Sequence, residues 1–146
     1  MKRQMWLSGV LFVTLALLVA ACGSVSEPAV GATTGDGYTK NADGYADITV
    51  EQLAVMMPDK DFTLVNVHIP YQGEIPETDL FIPFDDVAGY VDRLADKDAP
   101  IVLYCRSGSM STSAAQELAA LGYSNVLEVD GGFNAWKAAG YDLLGE

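Results

Sequence analysis

An unbroken apolar run extends from Ile101 to Tyr104 and ends at Cys105. A strand with one face in water alternates apolar and polar residues, whereas a strand covered on both faces is continuously apolar. The run therefore predicts a central strand of a largely parallel sheet.

Strand-like and helix-like segments alternate on either side of this run. Residues 62–68 and 125–129 are rich in apolar and β-branched residues and are predicted strands, with a strand stub at 81–82. Thr49 and Gln52 match a capping box, which predicts a short helix that ends before Pro58. Helical spacing and end signals predict three more helices, at residues 85–94, 111–121 and 133–139. This alternation is typical of an α/β fold with a largely parallel central sheet flanked by helices.

Net charge and cysteine content exclude several classes of protein. The chain carries 20 Asp and Glu against 8 Lys and Arg, a formal charge of −12 at pH 7. Nucleic-acid binding needs basic patches that release counterions, so we expect no nucleic-acid partner. The 2 cysteines and 1 histidine are too few for a cysteine-rich metal site or a disulfide framework, and we expect no metal and no cofactor.

Residues 1–21 have the organisation of a bacterial export signal. The basic residues Lys2 and Arg3 precede a long apolar run, and small residues stand before Cys22. The segment from Val19 to Cys22 resembles a lipobox, which implies a diacylglycerol on Cys22 and a third acyl chain on its amine. Two or three chains give stable membrane attachment. An ordinary signal peptide with an incidental cysteine, or a retained membrane helix, are the alternatives.

The rest of the chain divides into a linker and one domain. Residues 22–46 contain the lipidated cysteine and a stretch rich in Gly, Ser, Thr and Asp, which predicts a flexible linker. Residues 47–146 are the predicted domain. This organisation predicts a protein of the cell envelope, lipid-anchored to a membrane, with its domain on the extracytoplasmic side.

The loop after the central run is the candidate site. Ligand sites in parallel sheets lie beyond the carboxyl ends of the strands, where Cys105 is predicted to stand. Gly108 permits a conformation in which backbone N–H groups point inward, and the following helix N-terminus and Arg106 favour a thiolate. A thiolate among donors is a nucleophile. The alternative is a buried structural cysteine, which is a common state for this residue.

Four segments around this loop form a further pattern, and they run from Val65 to Pro70, Gly73 to Pro76, Cys105 to Gly108 and Asp130 to Trp136. Together they resemble segments of the rhodanese family, over nearly all of residues 47–146. The resemblance implies a single rhodanese-like domain and a sulfurtransferase, in which Cys105 takes a sulfane sulfur as a persulfide and passes it to a nucleophilic acceptor. It also implies that the following loop binds the substrate, through Arg106, Ser107, Gly108, Ser109, Met110 and Ser111.

Three departures from the family pattern affect what is expected. Met110 stands where the family often has a basic residue, which favours a polysulfide or thiol persulfide over the dianion thiosulfate as donor. Asn66 and His68 stand where the family commonly has Asp and Arg, so a hydrogen-bonding pair replaces an ion pair and we expect a structural histidine. Glu74 replaces a histidine of the family.

The partners and the alternatives follow from the same residues. With Cys22 lipidated, Cys105 is the only thiol, so sulfur release needs an external thiol acceptor, and the donor is a small sulfur-containing anion or a persulfide. A cysteine phosphatase is disfavoured because it needs an arginine where this chain has Ser111. A non-catalytic sulfur or redox sensor, or a binding module, stays open as an alternative. Phe133 and Trp136 are predicted core residues, and Tyr71 and Phe84 candidates for lining the site.

Overall fold

The computed structural model describes residues 32–94 and 96–146. The predicted export signal and Cys22 lie outside the described residues. Among the helices that are described, none has the length and apolar character needed to cross a bilayer. The strands are β1 (Ala46–Ile48), β2 (Thr63–Asn66), β3 (Leu80–Phe81), β4 (Ile101–Tyr104) and β5 (Val126–Val129). The α-helices are α1 (Val50–Met56), α2 (Ser109–Ala120) and α3 (Gly132–Ala138), and 3₁₀ helices span Met57–Asp59 and Val87–Arg93.

The five strands form one sheet in the order β1-β5-β4-β2-β3, and every neighbouring pair is parallel. This confirms the predicted α/β class and the central place of the apolar run, which is β4. All four residues of β4 are buried, as its composition requires of a strand covered on both faces. Parallel pairing brings the carboxyl ends of β2, β4 and β5 to the same edge of the sheet.

The core has two halves, one on each face of the sheet, because successive side chains of a strand point in opposite directions. On one face Leu103 and Val126 pack under α2, which contributes Ala114 and Leu118. On the other face Val102, Tyr104 and Leu127 pack against Leu53 of α1 and Trp136 of α3. Phe133 and Trp136 are buried, as predicted.

The sequence predicts the start of α1 correctly but not the type of helix near residues 85–94. The capping box at α1 is present, with Thr49 and Gln52 each accepting the other's backbone N–H. The segment predicted as a helix over 85–94 is a 3₁₀ helix, Val87–Arg93, with no side-chain cap at Asp86 and with Gly89 inside it. Both features disfavour a full α-helix.

The predicted linker is wrong for its described part, residues 32–46. A turn there closes with a bridge between Thr33 and Thr39, and Tyr45 and Ala46 are buried. Tyr38 packs on the core, and its hydroxyl lies 3.4 Å from Met56 Sδ. The folded part therefore begins before residue 47, because the aromatic side chains of this polar stretch pack on the apolar core.

Candidate functional site

Cys105 follows β4 directly and stands at the carboxyl edge of the sheet. Its side chain is buried, with 1% exposed, and two donor groups lie within hydrogen-bond distance of its sulfur. The Gly108 backbone N–H donates to Sγ at 3.1 Å, and the Ser111 hydroxyl lies 3.4 Å from Sγ. A cysteine that merely fills a core has carbon neighbours around its sulfur, so these two donors favour a functional thiol over a structural one.

The loop turns at Gly108, whose φ of 100° is in the region that residues with a Cβ rarely adopt. Helix α2 begins immediately afterwards, and the Thr112 N–H donates to the Gly108 carbonyl at 2.8 Å. The helix thus starts two residues earlier than predicted, at Ser109. Ser109, Met110 and Ser111 therefore lie in its first turn and not in a loop.

The start of α3, which follows β5, is hydrogen-bonded to the backbone of the cysteine loop. The Phe133 N–H donates to the Cys105 carbonyl at 2.9 Å, and the Asn134 N–H donates to the Arg106 carbonyl at 3.0 Å. Gly132 comes so close that a Cβ there would lie 2.1 Å from the Cys105 carbonyl oxygen. The first amides of α3 thereby fix the two carbonyls of the cysteine loop.

The other residues predicted to bind substrate have side chains that are exposed or half-buried. Arg106, Ser107 and Ser109 have exposed side chains, and the Arg106 guanidinium donates to Gln72 Oε1 at 3.2 Å. Met110 is half-buried, with its Sδ 3.2 Å from His68 Nδ1. Within the described residues, the donors near Sγ are the Gly108 amide and the Ser111 hydroxyl, so one of the backbone N–H groups predicted to point inward reaches the sulfur.

Asn66 and His68 form the hydrogen-bonding pair that the sequence predicts, through the backbone of the histidine. The His68 N–H donates to Asn66 Oδ1 at 3.0 Å, and Asn66 Nδ2 donates to the Gly73 carbonyl at 3.0 Å. The buried His68 ring meets the Phe133 ring edge to face, with centroids 5.5 Å apart. These contacts support a packing role for His68.

The two aromatic residues considered for the site differ in exposure. Tyr71 is exposed and meets the Phe81 ring edge to face, with centroids 6.0 Å apart. Phe84 is half-buried and packs on the core half under α2, the half to which Cys105 belongs.

Glu128 is the residue near the sulfur that sequence reasoning missed. It is buried in β5, with 1% exposed, and its carboxylate contacts the Ser111 hydroxyl closely. Burial raises the pKa of Glu128 to about 7, the hydrogen bond from Ser111 lowers it, and the carboxylates of Asp130 and Asp47 raise it again. The available signal was an acidic residue inside an otherwise apolar strand, since fully buried Glu is rare.

Comparison with known proteins gives a consistent result. A family model described as a rhodanese-like domain matches residues 50–139. The protein named thiosulfate sulfurtransferase GlpE from Pseudomonas savastanoi pv. phaseolicola is 36% identical over 89 residues, which are 60% of this chain and 76% of that protein. Its namesake from Pseudomonas fluorescens is 48% identical over 46 residues, which are 32% of this chain and 42% of that protein. The chain thus spans less than half the length of this second relative.

Solved structures share the fold. A rhodanese-related protein from Thermoplasma volcanium superposes with a TM-score of 0.60 at 26% identity, covering 70% of this chain and 100% of that one. A Rhodopseudomonas palustris protein of unknown function, described as a possible tyrosine phosphatase, gives a TM-score of 0.61 at 22% identity, covering 68% of this chain and 84% of that one. At that identity the second likeness shows the fold alone.

Proposed function

The chain belongs to the rhodanese-like domain family, and we propose that it is a sulfurtransferase that carries sulfane sulfur on Cys105. The observation that supports this most directly is the pair of donors on the Cys105 sulfur, the Gly108 amide and the Ser111 hydroxyl, at the carboxyl edge of the sheet. Relatives named thiosulfate sulfurtransferase support the same class of chemistry.

The first half-reaction loads the cysteine. The Cys105 thiolate attacks the outer sulfur of a donor, the sulfur–sulfur bond of the donor breaks, and the leaving group departs with the electron pair. With thiosulfate the leaving group is sulfite, and with a persulfide it is a thiolate. The Gly108 amide and the Ser111 hydroxyl stabilise the negative sulfur before attack and hold the persulfide afterwards.

The second half-reaction unloads the cysteine to an external thiol or a similar sulfur-seeking acceptor. Cys105 is the one cysteine in the part of the chain that the structure describes, and it is a free thiol. We therefore assign release to a separate acceptor molecule. Met110, beside His68 and next to the loop, adds no charge for a dianion, which favours a polysulfide or thiol persulfide as donor.

Mass spectrometry and turnover test the proposal together. The full chain is incubated with thiosulfate or a thiol persulfide, and the Cys105 peptide is examined for a gain of about 32 Da, the mass of one sulfur. Thiocyanate formation from cyanide is measured in parallel. Both signals should vanish in Cys105→Ser and persist in Cys22→Ser. Absence of the adduct with every donor in the unsubstituted protein would rule out sulfur transfer.

The second candidate is a non-catalytic sulfur sensor or binding module of the same fold. The nearly complete burial of Cys105 and the uncharged Met110 favour it. It predicts stoichiometric persulfidation of Cys105 without thiocyanate turnover, whereas the enzyme gives both.

We also propose that Cys22 is lipidated and holds the domain at the extracytoplasmic side of a membrane in the cell envelope. The support is the basic start, the apolar run and the small residues before Cys22. Expressed in bacteria supplied with radiolabelled palmitate, the full chain should take up the label, and Cys22→Ala should not. Cys105→Ser is the matched control and should be labelled like the unsubstituted protein. Absence of label in the unsubstituted protein, or label that survives Cys22→Ala, would contradict lipidation of Cys22.

A further inference from the structure

The Ser111 hydroxyl stands among three groups that accept hydrogen bonds. It lies 3.4 Å from Cys105 Sγ and 3.0 Å from the Gly108 carbonyl oxygen, and its closest contact is with Glu128 Oε1. A hydroxyl carries one proton, so it donates to one of these groups at a time. The Cys105 sulfur therefore has a second donor only while the Ser111 hydroxyl donates to it and not to Glu128 or to the Gly108 carbonyl.

The position of Glu128 follows from the sheet. In the register of β4 and β5 it stands beside Leu103, so its side chain points to the face covered by α2, where Ser111 lies in the first turn. The strand–loop–helix connection places Cys105 on the same face. The Glu128 carboxyl thus lies beneath the cysteine loop, out of contact with solvent.

The surroundings of Glu128 disfavour its charge. The ionisable groups that face it are Cys105 after β4, Asp130 after β5, Asp47 on β1 and Tyr45 before β1. None of these is a cation, so nothing among them compensates a buried carboxylate. Burial raises the pKa of Glu128 to about 7, and this carboxyl therefore exchanges its proton near neutral pH.

We propose that Glu128 is a positioning residue for sulfur transfer that acts on Cys105 through the Ser111 hydroxyl; this rests on the proposed sulfurtransferase function. Protonated, Glu128 donates to Ser111 Oγ, and Ser111 donates to Cys105 Sγ. Ionised, Glu128 accepts the Ser111 proton, and the sulfur keeps the Gly108 amide alone. Glu128 itself does not touch the substrate.

Glu128 affects the rate of the step in which negative charge develops on Cys105 Sγ. A thiolate acceptor attacks the outer sulfur of the Cys105 persulfide, and the bond between the two sulfurs breaks with its electron pair left on Sγ. The outer sulfur leaves as the persulfide of the acceptor. The step needs no external oxidant or reductant, and Glu128 keeps its proton throughout. A hydrogen bond that strengthens on the departing thiolate lowers the barrier.

The test is the pH dependence of sulfur transfer from the preformed Cys105 persulfide to a thiol, between pH 6 and pH 8. Glu128→Gln keeps a donor beside Ser111 but does not ionise, and dividing the two rates at each pH cancels the ionisation of the thiol. The rate of the unsubstituted protein relative to Glu128→Gln should fall several-fold over this range, with about ten-fold as the upper limit, because the protonated fraction of a group titrating near 7 falls from about 0.9 to about 0.1. Glu51→Gln, a matched change at an exposed site, should show no such trend.

Removing the hydroxyl identifies the route. In a Ser111→Ala background, adding Glu128→Gln should cause no pH-dependent change in rate. A ratio that stays constant from pH 6 to pH 8, or a trend that survives Ser111→Ala, would overturn the proposal. A merely structural role of Glu128 changes the rate at every pH alike.

A measurement without any sulfur donor separates this proposal from the proposed function. Carbon-13 NMR follows the Glu128 Cδ and the Cys105 Cβ resonances in the full chain during a pH titration. The Cys105 signal should respond with the midpoint of Glu128, and this response should be lost in both Glu128→Gln and Ser111→Ala. If Cys105 shows no response at that midpoint, the coupling is absent even where persulfide transfer occurs. If the response is present without persulfide formation, the coupling of Glu128 to Cys105 stands, but the proposed function fails and the role of Glu128 in sulfur transfer fails with it.

Discussion

Two neighbouring strand–loop–helix units of this sheet have the same local backbone arrangement but direct their amides to different acceptors. β4 leads to α2 and β5 leads to α3, and both helices begin after a glycine with positive φ, Gly108 and Gly131. The first unit turns its Gly108 amide to the Cys105 sulfur. The second turns its amides to the carbonyls of Cys105 and Arg106.

The two units therefore place their amides on different acceptors. The first amides of α3 are bonded to backbone carbonyls inside the protein, whereas the first unit presents a donor to the Cys105 sulfur. A loop whose carbonyls are already bonded keeps its peptide planes fixed. We therefore expect substitutions in the second unit to lower stability and substitutions in the first to affect sulfur transfer.

The largest expected effect is in the second unit. In Gly132→Ala the new Cβ would meet the Cys105 carbonyl at 2.1 Å, and this clash is with backbone, so we expect a loss of more than ~4 kcal/mol in the free energy of unfolding. Urea unfolding measures it. Gly140→Ala is the control, because its φ of 89° is also positive but nothing lies within 4 Å of the added Cβ. Equal losses in the two variants would show that strain, and not the close approach, limits this position.

Gly108→Ala should affect the chemistry more than the fold. The nearest atom to the added Cβ is at 3.6 Å, so there is room, but a φ of 100° costs an L-residue about 1–3 kcal/mol. Relief of this strain rotates the amide away from Sγ, and we expect sulfur transfer to fall about ten-fold or more, a loss of roughly 1.4 kcal/mol or more in transition-state stabilisation. Turnover and urea unfolding are measured on the same sample. Unchanged turnover in a destabilised protein would mean that the Gly108 amide is not needed.

The two units also differ in their response to pH, because the first one lies over a buried carboxyl. Glu128 ionises near pH 7 in the folded chain and near its ordinary 4.5 in the unfolded chain. Its contribution to stability is therefore fully present below about pH 4.5 and is lost as the pH rises through about 7, by ~3 kcal/mol. Unfolding free energies of the unsubstituted protein relative to Glu128→Gln, at pH 4.5 and 8, isolate this contribution. A difference that does not vary with pH would argue that Glu128 keeps an ordinary pKa.

The smallest expected effect concerns the choice of donor. Met110→Lys places a cation in the first turn of α2, and we expect kcat/KM for thiosulfate relative to a thiol persulfide to rise about five-fold, as a charge-assisted contact of about 1 kcal/mol provides. Ser113→Lys carries the same charge at an exposed position of the same helix and should change the ratio less. The donor preference would not depend on position 110 if both variants gave the same ratio.

Much of the fold was accessible from local pattern. The apolar run at β4, the capping box before α1 and the alternation of strands and helices each depend on neighbouring residues, and all three are confirmed. The 3₁₀ helix at Val87–Arg93 was not predicted, because its apolar spacing also fits an α-helix and only its poor cap and Gly89 distinguish the two. Residues 32–46 were misjudged since their composition is that of a linker, and the contacts that order Tyr38 and Tyr45 come from distant parts of the chain.

The candidate site likewise has features that depend on neighbouring residues and features that depend on distant parts of the chain. The strand β4, the cysteine at its end and the glycine that turns the chain could be predicted from the sequence, because they depend on a few consecutive residues. The close approach of Gly132 to Cys105 and the contact of Glu128 with Ser111, 17 positions away along the chain, depend instead on how the chain packs. Parallel pairing of β4 with β5 makes these residues neighbours, and the cost of burying a carboxyl, which depends on everything around it, is set only once the sheet has formed.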